Sequence, residues 1–164
     1  MNKLEAKQQF VSLLQKAYSG ELAAAMAYNG HWKSISDADD IKEIQRIEQE
    51  ELDHRQRIGE MLEELGARPQ AWRDRSLRVV GFFVAAGCHL SGWYLPMTIA
   101  AKLEEHNVGE YDNAAELSIQ SGYEHFVNDL KAMSVAEEEH EVYFKSKARS
   151  HWMDQLSHNL FHAL

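Results

Sequence analysis

EELDH, residues Glu50–His54, lies inside the charge-rich segment IKEIQRIEQEELDHRQRIGEMLEEL at 41–65. Glu51 and His54 are three residues apart, so on a helix they lie on neighbouring turns of one face. They are either two polar residues on a solvated helix surface or a pair that points inward to hold a metal. In a chain this rich in Glu and His, one Glu-x-x-His arises by chance. The residues that lie opposite this pair therefore decide between the two interpretations.

Composition limits the class of protein. A chain of 164 residues is long enough for one domain with a sizeable core, so we expect a single domain over 1–164. Only two prolines and many Ala, Glu and Leu residues favour helix over sheet. The formal net charge of −9 argues against a nucleic-acid partner. One cysteine, Cys88, excludes an internal disulfide framework. No basic-then-apolar segment opens the chain, so we expect a cytoplasmic location.

One window has an unusual composition. Residues 79–101, VVGFFVAAGCHLSGWYLPMTIAA, contain no Asp, Glu, Lys or Arg. The window is long enough to span a bilayer, but several glycines and Pro96 interrupt it. The favoured interpretation is a buried crossover helix inside a bundle. The alternatives are an apolar surface that lies on the inner face of a membrane or admits a substrate and, least favoured, a transmembrane span.

Four loop signals divide the chain into helices. They are SISDADD at 34–40, GARPQ at 66–70, SGWYLP at 91–96 and QSGY at 120–123. Gly66 ends the second helix and Pro69 blocks its continuation, while Pro96 suits the first turn of a new helix. The last segment, SHWMDQLSHNLFHAL at 150–164, has the pattern of a short terminal amphipathic helix. The sequence thus predicts an all-α antiparallel four-helix bundle with an extra uncharged crossover helix and a short C-terminal helix.

Each of the four bundle helices carries an apolar stripe at alternating spacings of three and four residues, which marks a core face. Each stripe is interrupted near its middle by polar residues. They are Glu21 in the first helix, Glu51 and His54 in the second, Glu104 in the third, and Glu137 and His140 in the fourth. The polar residues of each hairpin are equidistant from its predicted turn, roughly 20 Å away at about 1.5 Å per residue. All six are therefore expected to face one another in the core.

The charges of these residues point to a metal site. Buried ionised carboxylates that lack a partner are costly, and four of them would also repel one another. Two divalent iron ions would supply four positive charges and balance them. Two Glu and two Glu-x-x-His pairs form the ligand set of carboxylate-bridged di-iron bundles. In that arrangement Glu51 and Glu137 bridge the metals. Oxygen-rich ligation with one imidazole per metal suits iron, with manganese as the alternative.

Several neighbours of these residues are assigned other roles. Tyr28, Glu110 and Tyr111 are candidates for residues that contact the metal ligands; the two tyrosines are predicted to be core residues whose hydroxyls can hydrogen-bond a ligand. Glu50, Glu105, Glu138 and Glu139 lie off the core stripe and are interpreted as solvated or supporting residues. The sequence places His31, His106 and His125 on the surface.

Six segments resemble the demethoxyubiquinone hydroxylases of ubiquinone biosynthesis, in the ferritin-like superfamily, over roughly residues 10–145. They are GELAAAMAYNG at 20–30, ELDH at 51–54, ARP at 67–69, VVGFFVAAGCHLSG at 79–92, KLEEHNVGEY at 102–111 and EEEH at 137–140. The chain has Glu110 where family members generally carry His, and Glu141 where a second His usually follows. The resemblance implies a ferritin-like di-iron domain.

We therefore expect a di-iron monooxygenase that uses O₂ and an unidentified electron donor to hydroxylate an apolar, quinone-like or lipid-like substrate. Two alternatives stay open at this point. One is a ferritin-like iron oxidase or peroxide scavenger, and the other is a non-enzymatic helical bundle with a structural metal site. Assembly into a homo-oligomer and peripheral membrane contact through residues 79–101 also stay open.

Overall fold

The structure, a computed structural model, describes residues 2–150 as an all-helical protein without a strand in that range. Helices α1 and α2 form one antiparallel hairpin, α4 and α5 form another, and α1 packs against both α2 and α4. The helix α3 crosses over between the hairpins and packs along α1. The helices are α1 (Lys3–Ser34), α2 (Ala38–Glu64), α3 (Ala71–Ser91), α4 (Tyr94–Ser121) and α5 (Val127–Ser150), with a short 3-10 helix (Glu124–Phe126) before α5. The predicted bundle and crossover helix are confirmed, and the predicted C-terminal helix lies outside the described residues.

The helices end where the sequence predicts turns. Asp37 caps α2, because its side chain accepts hydrogen bonds from the backbone N–H groups of Asp39 and Asp40. Gly122 follows α4 with φ of 83°, a left-handed conformation in which glycine is not strained. Pro96 lies in the first turn of α4, as predicted.

The core consists of two apolar blocks with a polar layer between them. One block contains Phe10, Leu14, Ile58, Met61, Phe126 and Leu130, and the other contains Tyr28, Ile44, Ile47, Met97 and Phe144. Along α2, Glu51 and His54 lie between Ile47 of the second block and Ile58 of the first. The two blocks therefore keep water from the polar layer on both sides along the bundle axis.

Helices α1 and α3 approach closely at two glycines. A Cβ atom added to Gly30 would lie 2.4 Å from the Cα atom of Ala85, and one added to Gly81 would lie 3.1 Å from the Cα atom of Ala23. These distances are too short for any side chain larger than hydrogen at Gly30. Helix α3 therefore contacts the backbone of α1 directly at these two positions.

The predicted burial of the uncharged window is wrong. The window covers the second half of α3 and the beginning of α4, and much of it faces outward: Phe83 is 68% exposed and Leu90 is 90% exposed. The reason is that α3 fully buries only Gly81 and Cys88, while no other described segment covers its outer side. Within residues 2–150, no helix combines the length and apolar character needed to cross a bilayer.

Candidate metal centre

Four helices bring six metal-binding side chains together in the polar layer. Helix α1 contributes one, α2 two, α4 one and α5 two, and all six are buried. They form two overlapping groups, and within each group one potential ligand atom from every member lies within 4.8 Å of the others. The groups are Glu21, Glu51, His54 and Glu137, and Glu51, Glu104, Glu137 and His140. Glu51 and Glu137 belong to both groups, as the prediction that they are shared by two metals requires.

Several atoms of this layer have no hydrogen-bond partner although they are buried. They are Glu21 Oε2, both carboxylate oxygens of Glu51, and His140 Nδ1. A buried polar atom without a partner costs about 1–3 kcal/mol. Four such atoms in one layer therefore require a ligand that pairs with them. Metal ions would supply it, since carboxylate oxygens and neutral imidazole nitrogens bind iron and manganese. The residues thus fit a pair of divalent cations, while the individual ligand assignments stay predictions.

Burial changes the protonation of the carboxyl groups in this layer. It raises the pKa of Glu21, and it raises the pKa values of Glu51 and Glu104 well above their ordinary range. The negative charge of Glu137 adds to the effect on all three by repulsion. In the absence of metal these carboxyl groups therefore hold their protons to higher pH than exposed carboxyl groups do, and bound cations would favour the release of those protons.

Glu137 behaves in the opposite way. Burial alone would raise its pKa, but the interactions with His140, His54 and Glu104 outweigh burial and lower it. His54 Nδ1 lies 3.1 Å from Glu137 Oε1. Burial acts to lower the pKa of His54, yet the hydrogen bond to Glu137 raises it overall. Glu137 is thus the carboxylate that stays ionised in the metal-free protein.

Three side chains orient the carboxylates through hydrogen bonds. The hydroxyl of Tyr28 donates to Glu104 Oε1, and the hydroxyl of Tyr111 donates to Glu21 Oε1. Asn107 Nδ2 donates to Glu104 Oε2 at 3.0 Å and to Glu137 Oε2 at 3.3 Å. Asn107 was not predicted from the sequence, although its position one turn after Glu104 on the same helix was a usable signal.

Glu50 supports His140 from outside the layer. His140 Nε2 donates to Glu50 Oε2 at 2.7 Å, and Nδ1 of the same ring lies 3.3 Å from Glu51 Oε1. A carboxylate that accepts from one ring nitrogen fixes the tautomer and leaves the lone pair of the other nitrogen free for a metal. Glu50 therefore acts on the proposed site through His140, with Arg46 as its second partner.

Other acidic residues near the site lie outside it. The Glu110 side chain pairs with Lys16 and lies 3.1 Å from His106 Nε2, and none of its hydrogen bonds within residues 2–150 reaches the six. Glu138 and Glu139 are exposed. Of the three residues predicted beside the ligands, Tyr28 and Tyr111 form hydrogen bonds to them, whereas Glu110 lines the same cavity as Glu21 and Glu104 and pairs with Lys16 instead.

Two adjoining cavities lead from the polar layer to the surface between α1, α3 and α4. The first, of about 300 Å³, is mainly apolar and is also lined by the polar residues Lys16, Glu21, Tyr28, Glu104, His106, Asn107, Glu110 and Tyr111. The second, of about 240 Å³, is almost wholly apolar. Both are lined by Ala24, Ala27, Tyr28, Val84 and Leu103. An apolar molecule in this cleft would reach the carboxylates from the outside of the bundle.

Comparison with protein families identifies the chain. The family model for ubiquinone biosynthesis protein COQ7 matches residues 8–160, a range that includes all six residues of the polar layer. The chain belongs to the COQ7 family. No curated protein and no solved structure matches it. The resemblance inferred from the sequence is thereby confirmed, and membership in this ubiquinone biosynthesis family indicates an oxidoreductase of the hydroxylase type.

Proposed function

We propose that the chain is a di-iron hydroxylase that inserts one oxygen atom of O₂ into an apolar, quinone-like substrate. The observation that carries the proposal is the buried cluster with unpaired ligand atoms at the inner end of an apolar cleft. Membership in the COQ7 family supports it. The apolar cleft beside the carboxylates favours hydroxylation of an organic substrate over oxidation of soluble iron.

Each residue of the cluster has a proposed role in holding the metals. Glu51 and Glu137 would contact both iron ions. Glu21 and His54 would complete one coordination sphere, and Glu104 and His140 would complete the other. When bound, the two irons would offer open coordination positions to O₂ and pass to it the electrons that the donor supplies. One oxygen atom enters the substrate, and the other leaves as water with two protons and two electrons from an unidentified donor.

The surrounding residues prepare the site for this reaction. Tyr111 remains a neutral hydrogen-bond donor to Glu21, because burial raises the pKa of its hydroxyl well above the ordinary value. Asn107 ties Glu104 to Glu137 and so fixes their separation. The apolar blocks on both sides of the layer exclude water, which strengthens the electrostatic interactions inside.

The exposed face of α3 and the start of α4 is proposed to lie on a membrane. Val84, Leu95, Ile99 and Leu103 are exposed and also line the cavities, so the cleft opens on this face. An apolar substrate dissolved in the bilayer would then enter without crossing water. Replacement of Phe83 with Ser should reduce co-sedimentation with phospholipid vesicles. A change in oligomeric state without a change in vesicle binding would instead assign the face to a second copy of the chain.

Turnover with defined quinones tests the proposed reaction. Purified protein loaded with Fe(II) is supplied with a reductant, O₂ and short-chain quinone precursors, and the products are analysed by mass spectrometry. We expect one added oxygen atom, no product with Glu51→Ala, and full product with the control Glu139→Ala, which removes an exposed carboxylate from α5. If every quinone is recovered unmodified by iron-loaded protein, the quinone assignment is wrong.

A further inference from the structure

Helix α3 carries a line of apolar side chains along its outer side. At roughly 100° per residue, Trp72, Val79, Phe83 and Leu90 lie within about 40° of one another around the helix axis. Each of these residues is more than half exposed, and the two residues that α3 buries lie on the opposite side. The line extends over about 27 Å, at about 1.5 Å per residue. Such a line is typical of a helix that lies in the surface of a bilayer.

Arginine side chains flank this line on both sides. Arg75 lies about 60° from it on one side, and Arg73 lies about 100° from it on the other. Arg75 is exposed, and the Arg73 guanidinium lies 5.3 Å from the centre of the Trp72 ring. Among the described residues, neither arginine has a carboxylate partner, whereas Arg78 lies 3.6 Å from an Asp74 oxygen. Arg73 and Arg75 can therefore pair with an anion outside the chain.

The basic residues near α3 are concentrated in one part of an acidic chain. Residues 68–102 contain a single acidic side chain, whereas the chain as a whole has a formal net charge of −9. The basic side chains in the same range are Arg68, Arg73, Arg75, Arg78 and Lys102. An anionic surface repels a protein of this net charge unless the protein presents its basic part. Charge thus favours the orientation in which α3 faces an anionic partner.

A bilayer of anionic phospholipids offers both features that this surface requires. Its acyl chains take up exposed apolar side chains, and its headgroups present phosphate oxygens at the edge of that apolar layer. The planar guanidinium group of arginine hydrogen-bonds two phosphate oxygens at once. A tryptophan such as Trp72 is favoured at this boundary, because its ring is apolar and its indole N–H is polar. A nucleic acid offers phosphates alone and leaves the apolar line in water.

We propose that Arg73 and Arg75 bind headgroup phosphates of an anionic phospholipid bilayer while the apolar line between them enters the acyl region. Val84 lines the cleft and follows Arg73 by about three turns, on the same side of α3. The bound helix therefore turns the mouth of the cleft toward the bilayer. The inference rests on the membrane face that is part of the proposed function, and it adds the class of lipid and the residues that recognise it.

Vesicle binding of the full chain tests the proposal without any turnover. Vesicles of phosphatidylcholine alone are compared with vesicles that contain about one-third phosphatidylglycerol. We expect wild type to bind the anionic vesicles about tenfold more tightly, although its net charge alone would cause repulsion. Arg75→Gln should lose about fivefold on anionic vesicles only, and Arg73→Gln combined with Arg75→Gln should lose the preference. Salt at about 0.5 M should also remove the preference, because it screens the charges.

Two control variants separate the effect of Arg75 from net charge and from the apolar line. Lys42→Gln removes an exposed positive charge from α2 and should leave the preference for anionic vesicles unchanged. Phe83→Ser should weaken binding to both vesicle types by the same factor. Circular dichroism checks that each variant is as helical as wild type, and Arg75→Gln alone decides if the double variant loses helicity.

The possible outcomes distinguish the lipid class from the membrane face itself. Equal binding of wild type to both vesicle types would overturn the proposal and leave the apolar membrane face in place. Losses of the same size with Arg75→Gln and Lys42→Gln, or no loss with either, would also overturn it, since the attraction would not arise at α3. Binding to neither vesicle type would overturn both the proposal and the membrane face. Turnover with short-chain quinones needs no vesicle and tests hydroxylation separately.

Discussion

Glu51→Leu is expected to stabilise the metal-free protein, although it removes a residue at the centre of the site. Glu51 is fully buried, neither carboxylate oxygen has a hydrogen-bond partner, and Glu21 and Glu137 repel its ionised form. Leucine continues the apolar stripe of α2 between Ile47 and Ile58. Replacing buried ionic groups with apolar ones of similar volume gains about 1–4 kcal/mol. We expect the free energy of unfolding to rise by about 2 kcal/mol, or roughly 4–8 °C in Tm.

Urea denaturation followed by circular dichroism measures this change, with a chelator present to remove metal. The control is Glu139→Leu on α5, which exchanges an exposed carboxylate and should change the free energy of unfolding by less than about 0.5 kcal/mol. Addition of Fe(II) without O₂ should reverse the order, because the ions stabilise only a protein that binds them. If the free energy of unfolding of metal-free Glu51→Leu falls by more than about 1 kcal/mol, the expectation is wrong. Such a loss would mean that the Glu51 carboxyl group has hydrogen-bond partners even without metal.

Three further outcomes follow from the same contacts. The free energy of unfolding of the metal-free protein should fall as pH rises above about 4.5, the ordinary pKa of glutamate, because the raised pKa of Glu51 keeps a proton on the folded chain that the unfolded chain has already released. Denaturation at several pH values should show a smaller slope for Glu51→Leu. Tyr111→Phe removes the donor to Glu21 and should weaken Mn(II) affinity about tenfold by calorimetry, and unchanged affinity would deny Tyr111 this role. Gly30→Ala should cost about 1–3 kcal/mol because of the clash with Ala85, whereas Gly20→Ala, with open space around it, should gain about 0.5–1 kcal/mol.

The sequence predicts most of the fold because the residues that define it act locally. The spacing of Ile47, Glu51, His54 and Ile58 places them on one helix face whatever the rest of the chain does. Gly122 predicts the turn after α4 because glycine adopts the positive φ found there without strain. Since hairpin geometry relates positions at equal distances from a turn, the meeting of α1 with α2 and of α4 with α5 followed from counting residues.

Features that depend on how helices are rotated and covered could not be predicted in the same way. The pairing of Glu50 with His140 joins α2 to α5, and nothing in either segment fixes that partner. The absence of charge in residues 79–101 favours an apolar environment but does not say whether protein or lipid provides it. His31 was misplaced because its burial requires α3, although its spacing of three from Tyr28 was visible in the sequence.

Anaerobic titration of metal-free protein with Fe(II) tests whether the six buried residues hold two metal ions that share Glu51. Two iron ions per chain are predicted for wild type, with magnetic coupling between them in the Mössbauer spectrum after oxidation. Glu51→Ala should remain helical and lose the coupled pair, while Glu139→Ala should bind two ions as wild type does. Binding of one ion or none by wild type, or an intact coupled pair in Glu51→Ala, would contradict a shared two-metal site at Glu51.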